Sequence, residues 1–353
     1  MVRAQIVGAT GYGGVGMVEL LLRHPEIEIS SLLAVSDVNR PLSSFYPHLR
    51  GYCDQIVEEA SPERIGADAD LVIFSTPDRV GMGYASRLVE QGKRVLDYSG
   101  DFRFATHALY DWYAKAHPSV GGKPHLAPEL FDRAVYGIPE LNRARIREAR
   151  VVGNPGCFAV AMILALAPAI KAGLIDPRSN ISDGKTGISG AGKKPSATNH
   201  FPERNESVTP YRVASHQHVY ETVAALQAIA GEKVGVTFVP HLVPITRGII
   251  VTSYATLRED VSAEKIQAVY EEYYADEPFA RVLPLGVTPG PKAVTGSNIC
   301  DVSVAVDAEN GRVVLVGSID NLMKGQAGVA LQNINIMYGF PETLGLERLP
   351  IYP

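Results

Sequence analysis

A glycine-rich segment near the amino terminus determines which folds are open to this chain: Gly8-Ala9-Thr10-Gly11-Tyr12-Gly13-Gly14. It follows a stretch typical of a strand, residues 3–9, and precedes residues 15–23, whose apolar side chains recur at helical spacing. Glycine allows a tight turn and lets the backbone approach a pyrophosphate, while the start of a helix attracts anions. The segment predicts a dinucleotide-binding turn in which the cofactor contacts Gly8, Thr10, Gly11, Tyr12, Gly13 and Gly14. Its spacing is GxxGxxG rather than GxGxxG, and the alternative interpretation is an ordinary strand-to-helix turn.

The residues that follow continue the alternation of strand and helix. Short apolar runs at 29–35, 71–74 and 94–97 predict buried strands, and residues 80–91 predict a helix between the last two. Strands that alternate with helices indicate βαβ units around a parallel sheet, the Rossmann-type arrangement. Residues 104–150 are rich in aromatic residues and proline, and we expect them to be irregular.

From about residue 157 the pattern changes. Residues 157–171 and 262–275 predict helices, and strand-like runs occupy 234–240, 248–256, 299–306 and 312–319. Several strands with few helical crossovers predict an α+β domain around a mostly antiparallel or mixed sheet. A last helix is predicted over 326–338. The chain is therefore expected to be an α/β protein of two domains, in keeping with its 353 residues.

Composition limits the partners and the compartment. The net charge is −5, which argues against a nucleic-acid partner because such proteins need clustered Lys and Arg. The longest apolar run, residues 158–167, is shorter than the roughly 20 residues that a membrane-spanning helix needs, so no membrane partner is expected. Cys53, Cys157 and Cys300 are odd in number and widely spaced, which fits neither a disulfide framework nor a zinc site. The amino terminus lacks a signal-peptide pattern, and a reducing, cytoplasmic compartment is expected.

The segment Asn154-Pro155-Gly156-Cys157 predicts a sharp turn that places a cysteine at the start of a helix. The positive end of a helix favours the thiolate, which is the nucleophilic form of cysteine. The alternative is a buried cysteine that packs before an apolar helix, the usual role of this residue. Cys53 and Cys300 lack such a setting and are interpreted as structural.

Two histidines, His216 and His218, follow a long polar and glycine-rich segment. Histidine exchanges protons near neutral pH, so His218 is a candidate acid–base group. If His218 begins a helix, Glu221 lies about one turn away and could orient the imidazole. A His-x-His pair also occurs in metal sites, but no third ligand of suitable spacing is evident nearby in the sequence, so no metal is expected.

Four further segments are candidates for binding the cofactor or the substrate. The basic turn Ser189-Gly190-Ala191-Gly192-Lys193-Lys194 could form an anion-binding nest from backbone N–H groups. The guanidinium groups of Arg103 and Arg247 are candidate forks for a carboxylate or a phosphate. At the end of the second strand, Asp37 could hold a ribose hydroxyl, whereas Ser36, Asn39 and Arg40 could receive a 2′-phosphate. The residues alone leave NADH and NADPH as open alternatives.

In combination, these motifs resemble those of the N-acetyl-γ-glutamyl-phosphate reductases, a family of the semialdehyde dehydrogenase type that serves arginine biosynthesis. The likeness runs nearly from end to end. Besides the glycine segment, it is carried by Asp97–Arg103, Tyr136–Leu141, Asn154–Cys157, Ser189–Lys194, His200–Glu206, His216–Glu221, Pro240–Gly248 and Asp320–Gly325. The Asn-Pro-Gly-Cys and His-x-His stretches are specific in combination, whereas the glycine segment alone is not.

The resemblance implies an activity and an organisation. It implies NADPH-dependent reduction of a small-molecule acyl phosphate to an aldehyde, with Cys157 forming a thioester and His218 acting as acid and base. It implies an NADP-binding, Rossmann-like domain from residues 1–156 plus 322–353 and a catalytic and oligomerisation domain at 157–321. It further implies a cytoplasmic homo-oligomer, either a tetramer or a dimer.

The resemblance also implies functions for individual side chains. The expected cofactor-binding set extends the glycine segment by Ser36, Arg40, Ser75, Pro77, Ser99, Ser189, Gly190, Asn321 and Lys324, the last two at the nicotinamide end. The expected substrate-binding set comprises Arg103, Asn154, His216 and Arg247. Two stretches depart from the family pattern: Ser75-Thr76-Pro77-Asp78-Arg79 stands where Leu-Pro-His-Gly is usual, and Phe158 where tyrosine is common. The first departure concerns contacts near the cofactor rather than the chemistry.

Three rival functions follow from the same residues. A relative in lysine biosynthesis reduces a carrier-protein-bound aminoadipyl phosphate, but its cysteine motif tends to lack the Asn-Pro-Gly lead and its glycine turn lacks the pair Lys193-Lys194. Aspartate-semialdehyde dehydrogenase shares the chemistry, and the His-x-His stretch argues against it. A non-catalytic NADP-binding protein need not keep both a cysteine at a helix start and a histidine base.

Overall fold

A computed structural model describes residues 1–352 of the chain. The chain forms two compact units: unit 1 comprises Met1–Pro155 and Gln326–Glu347, and unit 2 comprises Gly156–Gly325 and the segment that begins at Arg348. These bounds differ from the predicted domains at residue 156, at residues 322–325 and beyond residue 347. In the last of these segments the Ile351 N–H donates to the Thr295 carbonyl oxygen (2.8 Å), a contact within unit 2.

The strands are β1 (Val2–Val7), β2 (Ile27–Ala34), β3 (Arg40–Pro41), β4 (Ile56–Glu59), β5 (Leu71–Phe74), β6 (Arg94–Asp97), β7 (Ala134–Tyr136), β8 (Val151–Gly153), β9 (Asn180–Thr186), β10 (Thr209–Pro210), β11 (Val236–Leu242), β12 (Ile249–Thr256), β13 (Ala280–Val282), β14 (Cys300–Asp307) and β15 (Arg312–Ile319). The helices are α1 (Tyr12–Leu21), α2 (Met82–Glu90), α3 (His107–Ala116), α4 (Pro139–Glu148), α5 (Cys157–Lys171), α6 (Phe201–Arg204), α7 (His218–Ala230), α8 (Ala263–Tyr273) and α9 (Gly328–Tyr338). A π-helical turn, Met323–Ala327, precedes α9. Within residues 1–352, no helix has both the length and the apolar character needed to cross a membrane.

Unit 1 is built on an eight-stranded sheet in the order β3-β4-β2-β1-β5-β6-β8-β7. Neighbouring strands are parallel except for β3 and β4. All four residues of β5 are buried, as is typical of strands in a parallel sheet. The strand order reverses between β1 and β5, and dinucleotides bind at the carboxyl ends of strands at such a switch point. The predicted parallel, Rossmann-type arrangement is confirmed.

The expectation of irregular structure over residues 104–150 is wrong, because this segment contains α3, α4 and β7. Helix α3 begins after Thr106, whose hydroxyl accepts the Leu109 N–H, and its buried side chains are two tyrosines and an alanine. Helix α4 begins with Pro139 and, besides that proline, buries Ile146. Helices with an aromatic or very narrow buried face lack the aliphatic repeat on which the prediction relied.

Unit 2 is built on a seven-stranded sheet in the order β10-β11-β9-β12-β15-β14-β13. Strand β9 is parallel to β11 and β13 to β14, while the other pairs are antiparallel, so the predicted mixed sheet is confirmed. Helix α5 contacts β12, β14 and β15, and its residues 158–170 are all buried. Gly317 allows this close packing, because a Cβ there would lie 2.5 Å from the Ala161 carbonyl oxygen. Cys157 therefore begins a helix that is fixed by packing along most of its length.

Candidate active site

The glycine segment connects β1 to α1, as predicted. Gly8 has a φ of +88°, and a Cβ there would lie 2.2 Å from the Ser75 carbonyl oxygen. A Cβ on Gly14 would lie 2.3 Å from the Gly8 carbonyl oxygen, so glycine lets α1 start directly against the turn. The N-cap residue Gly11 supplies no side-chain cap, which leaves the first N–H groups of α1 for an anion. The turn therefore fits the pyrophosphate of a dinucleotide.

The loop after β5 lies beside the glycine segment. A Cβ on Gly13 would lie 2.6 Å from the Ser75 Oγ and 2.8 Å from the Gln326 Nε2. Thr10 is buried, and its carbonyl oxygen accepts the Tyr46 hydroxyl (2.8 Å). Pro77, two residues after Ser75, is exposed. The structure thus brings Ser75 to the predicted cofactor turn.

The segment after β2 carries the candidate residues for the cofactor ribose. Ser36, Asp37 and Arg40 are exposed, and φ values of +58° at Asp37 and +59° at Asn39 turn the chain there. The Arg40 guanidinium carbon lies 4.8 Å from the centroid of the Phe45 ring. A hydroxyl, a carboxylate and a guanidinium are therefore all exposed where the ribose is expected.

Two buried carboxylates, Asp97 and Asp101, flank Ser99 after β6. The Asp97 Oδ1 accepts the Ser99 N–H (2.7 Å) and the Ser99 hydroxyl, and the Asp101 N–H donates to the Ser99 Oγ (3.2 Å). Burial raises the pKa of Asp97 to about 7 and that of Asp101 to about 8. The Ser99 hydroxyl therefore links these two aspartates, and its binding of cofactor stays a prediction.

Arg103 and Asn154 contact each other. The Arg103 Nε donates to the Asn154 carbonyl oxygen (2.8 Å), and its Nη2 donates to the Tyr98 carbonyl oxygen (2.6 Å). The Asn154 side chain is buried and donates to the Gln326 carbonyl oxygen (3.0 Å). These bonds hold the loops of unit 1 together, and substrate binding by either residue stays a prediction.

Cys157 is the first residue of α5, and glycines approach it from two directions. The N–H of the N-cap residue Gly156 donates to the Glu221 Oε2 (3.0 Å), and a Cβ on Gly156 would lie 2.4 Å from the His218 Nε2. A Cβ on Gly325 would lie 2.7 Å from the Cys157 Cβ. The turn that carries the candidate nucleophile thus lies against the candidate base and the carboxylate that was predicted to orient it.

Helix α7 begins at His218, and Glu221 lies in its first turn. The His218 Nε2 is 4.0 Å from the Glu221 Oε1, and Glu221 is buried. A carboxylate beside an imidazole can orient it for proton transfer, and this role of Glu221 stays a prediction. His218 and Glu221, which are three positions apart in the sequence, therefore lie close together in unit 2.

His216 packs in an aromatic cluster. Its ring centroid lies 5.6 Å from that of Phe158, 5.5 Å from that of Phe238 and 5.6 Å from that of Tyr211. Its Nδ1 accepts the His218 N–H (3.2 Å). His216 thus fixes the start of the helix on which His218 stands, and substrate binding by His216 stays a prediction.

Tyr211 is a site residue that the sequence analysis missed. Burial, and after it an electrostatic interaction with Cys157, raises the pKa of Tyr211 well above the ordinary value for tyrosine. The Tyr211 ring centroid lies 5.6 Å from that of His216. The Tyr211 N–H donates to the Pro240 carbonyl oxygen (3.0 Å), which ties the residue to β11. The sequence signal is slight: one tyrosine five positions before His216, in a polar stretch.

Asn321 joins two segments of the predicted site. Its Nδ2 donates to the Ser189 Oγ (3.0 Å), and its Oδ1 accepts the Gly248 N–H (2.7 Å), the residue after Arg247. Lys324 is fully buried, with its Nζ 5.5 Å from the centroid of the Phe279 ring. The structure therefore groups Asn321 and Ser189 with the segment that carries Arg247.

Three N–H groups of the turn from Ser189 to Gly192 are not available to the expected anion-binding nest. The Ser189 N–H donates to the Thr246 carbonyl oxygen (3.1 Å), the Gly190 N–H to that of Gly187 (3.2 Å) and the Gly192 N–H to that of Ser189 (3.1 Å). A nest needs N–H groups that point toward the anion, and these three donate within the chain. The expected nest would therefore depend on the other N–H groups of Ser189–Lys194, and it stays a prediction.

Comparisons with known proteins find relatives of both parts of the chain. Residues 3–149 match the family described as semialdehyde dehydrogenase, NAD binding domain. Residues 157–321 match the family described as semialdehyde dehydrogenase, dimerisation domain. The first match contains the glycine segment, and the second contains Cys157, His218 and Glu221.

Curated relatives match over all or nearly all of their length. The N-acetyl-gamma-glutamyl-phosphate reductase of Syntrophobacter fumaroxidans is 45% identical over 354 residues, which are 100% of both chains. That of Moorella thermoacetica is 45% identical over 348 residues, 98% of each chain. That of Geobacter metallireducens is 43% identical over 355 residues, 100% of both chains.

Solved structures share the fold at low sequence identity. Aspartate semialdehyde dehydrogenase with NADP from Candida albicans has a TM-score of 0.72 and 17% identity, covering 96% of this chain and 98% of that chain. Aspartate semialdehyde dehydrogenase II complexed with ASA from Vibrio cholerae has a TM-score of 0.70 and 18% identity, with coverage of 96% and 98%. The expected semialdehyde dehydrogenase fold is confirmed.

Proposed function

Because the chain belongs to the N-acetyl-γ-glutamyl-phosphate reductase family of semialdehyde dehydrogenases, we propose that it reduces N-acetyl-γ-glutamyl phosphate to N-acetylglutamate 5-semialdehyde in arginine biosynthesis. One observation of the site carries the proposal: the turn before Cys157 lies against His218 and Glu221. A cysteine at a helix start beside a histidine is an arrangement that enzymes use for covalent acyl transfer.

The first step forms a thioester on Cys157. His218 accepts the thiol proton, and the sulfur attacks the acyl carbon of the substrate. The bond between that carbon and the phosphate oxygen breaks, and phosphate leaves. Backbone N–H groups in the first turn of α5 stabilise the oxyanion of this step, a contribution worth about 3 kcal/mol in other enzymes. The thioester thereby divides one difficult displacement into two easier steps.

The second step releases the aldehyde. When bound, the nicotinamide cofactor supplies the hydride that converts the thioester carbonyl to a thiohemiacetal on Cys157. The carbon–sulfur bond of this intermediate then breaks, the carbonyl re-forms, and His218 returns its proton to the sulfur. Glu221 holds the imidazole in place through both proton transfers, because its other oxygen is anchored by the Gly156 N–H.

NADPH is the proposed cofactor of this reaction. The glycine segment and Ser75 would hold its pyrophosphate, and Ser36 with Arg40 would receive the 2′-phosphate. The exposed guanidinium of Arg40 and the hydroxyl of Ser36 support this choice, since a 2′-phosphate needs a positive charge and a donor. Ser189, Asn321 and Lys324 are proposed to lie toward the nicotinamide.

The test follows NADPH formation from N-acetylglutamate 5-semialdehyde, phosphate and NADP⁺, in wild type, Cys157→Ala and the control Cys53→Ala. Cys53 is a buried cysteine of unit 1 and should leave the activity unchanged. Phosphate-dependent activity that disappears only in Cys157→Ala supports the proposal. Activity on aspartate semialdehyde or on a carrier-bound aminoadipyl substrate instead would replace the assignment by the corresponding rival.

We further propose that the enzyme is a cytoplasmic homo-oligomer, a dimer or a tetramer. The match of residues 157–321 to a dimerisation domain supports self-association. Ile181 and Tyr254 are paired across β9 and β12 and are 44% and 36% exposed, which offers an apolar surface for a second copy. The three cysteines are free thiols, which fits a reducing compartment. Light scattering at several protein concentrations measures the oligomeric state.

A further inference from the structure

Asp320 is a buried carboxylate that the proposed reaction does not use. It is 0% exposed and directly follows β15. Its Oδ1 accepts the Arg247 Nε (3.3 Å) and the Leu322 N–H (2.8 Å). Its Oδ2 accepts the Gly296 N–H (2.6 Å) and lies 3.0 Å from the Arg247 Nη2. The Met323 N–H also donates to Oδ1 (3.3 Å), so each carboxylate oxygen contacts the Arg247 guanidinium and at least one backbone N–H group.

This pairing fixes the direction of Arg247. Asp320 occupies the edge of the guanidinium formed by Nε and Nη2, so the Nη1 edge is directed away from the carboxylate. The Arg247 side chain is 34% exposed, whereas Asp320 is fully buried. Because a guanidinium is a planar fork, holding one edge determines where the other edge can bind an oxyanion.

Asp320 also fixes the segment beside the nucleophile. Its carbonyl oxygen accepts the N–H groups of Met323 (3.2 Å) and Gly325 (3.0 Å), which begins the π-helical turn. Gly325 in turn lies against Cys157, where a Cβ on the glycine would be 2.7 Å from the cysteine Cβ. Within unit 2, the Asp320 side chain therefore contacts Arg247, and the Asp320 backbone contacts Gly325, which packs against Cys157.

We propose that Asp320 is a positioning residue that aims the exposed edge of Arg247 at an oxyanion of the substrate near Cys157. The inference rests on the proposed function, in which the substrate presents two oxyanions, the α-carboxylate and the phosphate. Lysine would not serve in place of Arg247, because only a fork holds a carboxylate on one edge and an oxyanion on the other. The buried partner fixes the guanidinium before the substrate arrives, so less side-chain freedom is lost on binding.

The kinetic test compares Asp320→Asn with the matched control Asp301→Asn. Asp301 is also buried and also pairs with a part-exposed arginine, Arg281, through both oxygens (2.6 and 3.0 Å). In the oxidative direction the α-carboxylate belongs to the aldehyde, and phosphate is a second substrate. A separate KM can therefore be measured for each oxyanion. We expect Asp320→Asn to raise the KM of the aldehyde or of phosphate by about 10- to 100-fold, the cost of misaligning a charge-assisted bond, and to change kcat much less. Asp301→Asn should change neither KM.

A chemical readout tests the same point without turnover. Iodoacetate carries a carboxylate and iodoacetamide does not. The rate of Cys157 alkylation by iodoacetate, divided by the rate with iodoacetamide, therefore reports an oxyanion-binding group near the thiol. We expect this ratio to fall about tenfold in Asp320→Asn, in proportion to the loss of anion affinity, and to stay unchanged in Asp301→Asn. The two proposals can fail separately. If the wild-type protein is inactive on the acetylated aldehyde but the alkylation ratio still falls in Asp320→Asn, the proposed function is refuted and the positioning role is supported.

Unchanged KM values and an unchanged alkylation ratio in a folded Asp320→Asn protein would overturn the inference. If that variant does not fold, Arg247→Lys replaces it, because lysine keeps the charge beside Asp320 and lacks the second edge. The same rise in one KM and the same fall in the ratio are expected for Arg247→Lys. Wild-type values for both measurements in Arg247→Lys would likewise overturn the inference.

Discussion

The substitution Gly156→Ala tests whether the contact between the nucleophile's turn and the base is needed for catalysis. A Cβ at this position would lie 2.4 Å from the His218 Nε2 and 2.5 Å from the Glu221 Oε1. The backbone of Gly156 is extended, with φ −75° and ψ 145°, so alanine can adopt it without strain. The added methyl group therefore acts through these two side chains.

The size of the effect follows from the distances. An ordinary contact of a Cβ begins near 3.4 Å, so the imidazole or the methyl group must move by about 1 Å. A misplacement of roughly 1 Å at a catalytic group lowers the rate on the order of 100-fold, which corresponds to about 2.7 kcal/mol of activation free energy. Overpacking should also lower the free energy of unfolding by about 1–3 kcal/mol.

The assay separates the rate from the stability. We would measure kcat for phosphate-dependent oxidation of N-acetylglutamate 5-semialdehyde at a temperature well below the unfolding midpoint of each variant. Gly290→Ala is the matched control, because a Cβ at this extended glycine of unit 2 meets nothing within 4 Å. This control should keep wild-type kcat, whereas Gly156→Ala should lose about two orders of magnitude.

A Gly156→Ala protein with kcat within threefold of wild type would refute this reasoning. It would mean that His218 and Glu221 reach their working positions without the packing against Gly156. A loss of kcat that Gly290→Ala shares would refute it too, because the cause would then be general loosening of unit 2.

Three further outcomes are expected. Because the pKa values of Asp97 and Asp101 are raised, the folded protein keeps these carboxyl groups protonated at pH values where the unfolded chain has lost the protons. Their contribution to the free energy of unfolding is complete below about pH 4 and is lost as the pH rises through about 7 to 8. Urea unfolding at pH 5, 7 and 9 should show this decline in the free energy of unfolding, and Asp97→Asn should make it less steep. Arg79 has a φ of +72°, so Arg79→Gly should be more stable than Arg79→Ala by about 1 kcal/mol in the same assay; equal stabilities would contradict the assigned backbone strain. Ile181→Lys combined with Tyr254→Lys should lower the mass measured by light scattering, and an unchanged mass would exclude this surface as the interface.

Burial on both faces explains why part of the fold could be predicted to the residue. Strands β5 and β6 and helix α5 have the bounds predicted from the sequence. β5 and α5 are nearly continuous apolar runs with a definite end, and β6 is an apolar pair with a charged residue on either side. Helices α3 and α4 escaped prediction because packing against the rest of unit 1, rather than an aliphatic repeat, determines them. The sequence alone contains no sign of that packing.

The site divides in the same way. Cys157, His218 and Glu221 could be proposed because their chemistry depends on local placement at the starts of α5 and α7. Asp320 and Tyr211 could not, because their importance arises from contacts between distant parts of the chain. Asp320 and Arg247, for example, are 73 positions apart. Such contacts exist only once the sheet of unit 2 has formed.

The main segment of unit 2 begins at Gly156 and ends at Gly325, and both glycines border Cys157. Cutting out this segment as a separate fragment would therefore place a new α-amino group and a new α-carboxylate on either side of the thiol. The α-amino group titrates near pH 8, so the reactivity of the thiol in that fragment would report introduced charges rather than the native surroundings. A circularly permuted chain would preserve those surroundings if it opened at Gly311, in the turn between β14 and β15, where a Cβ would meet nothing within 4 Å.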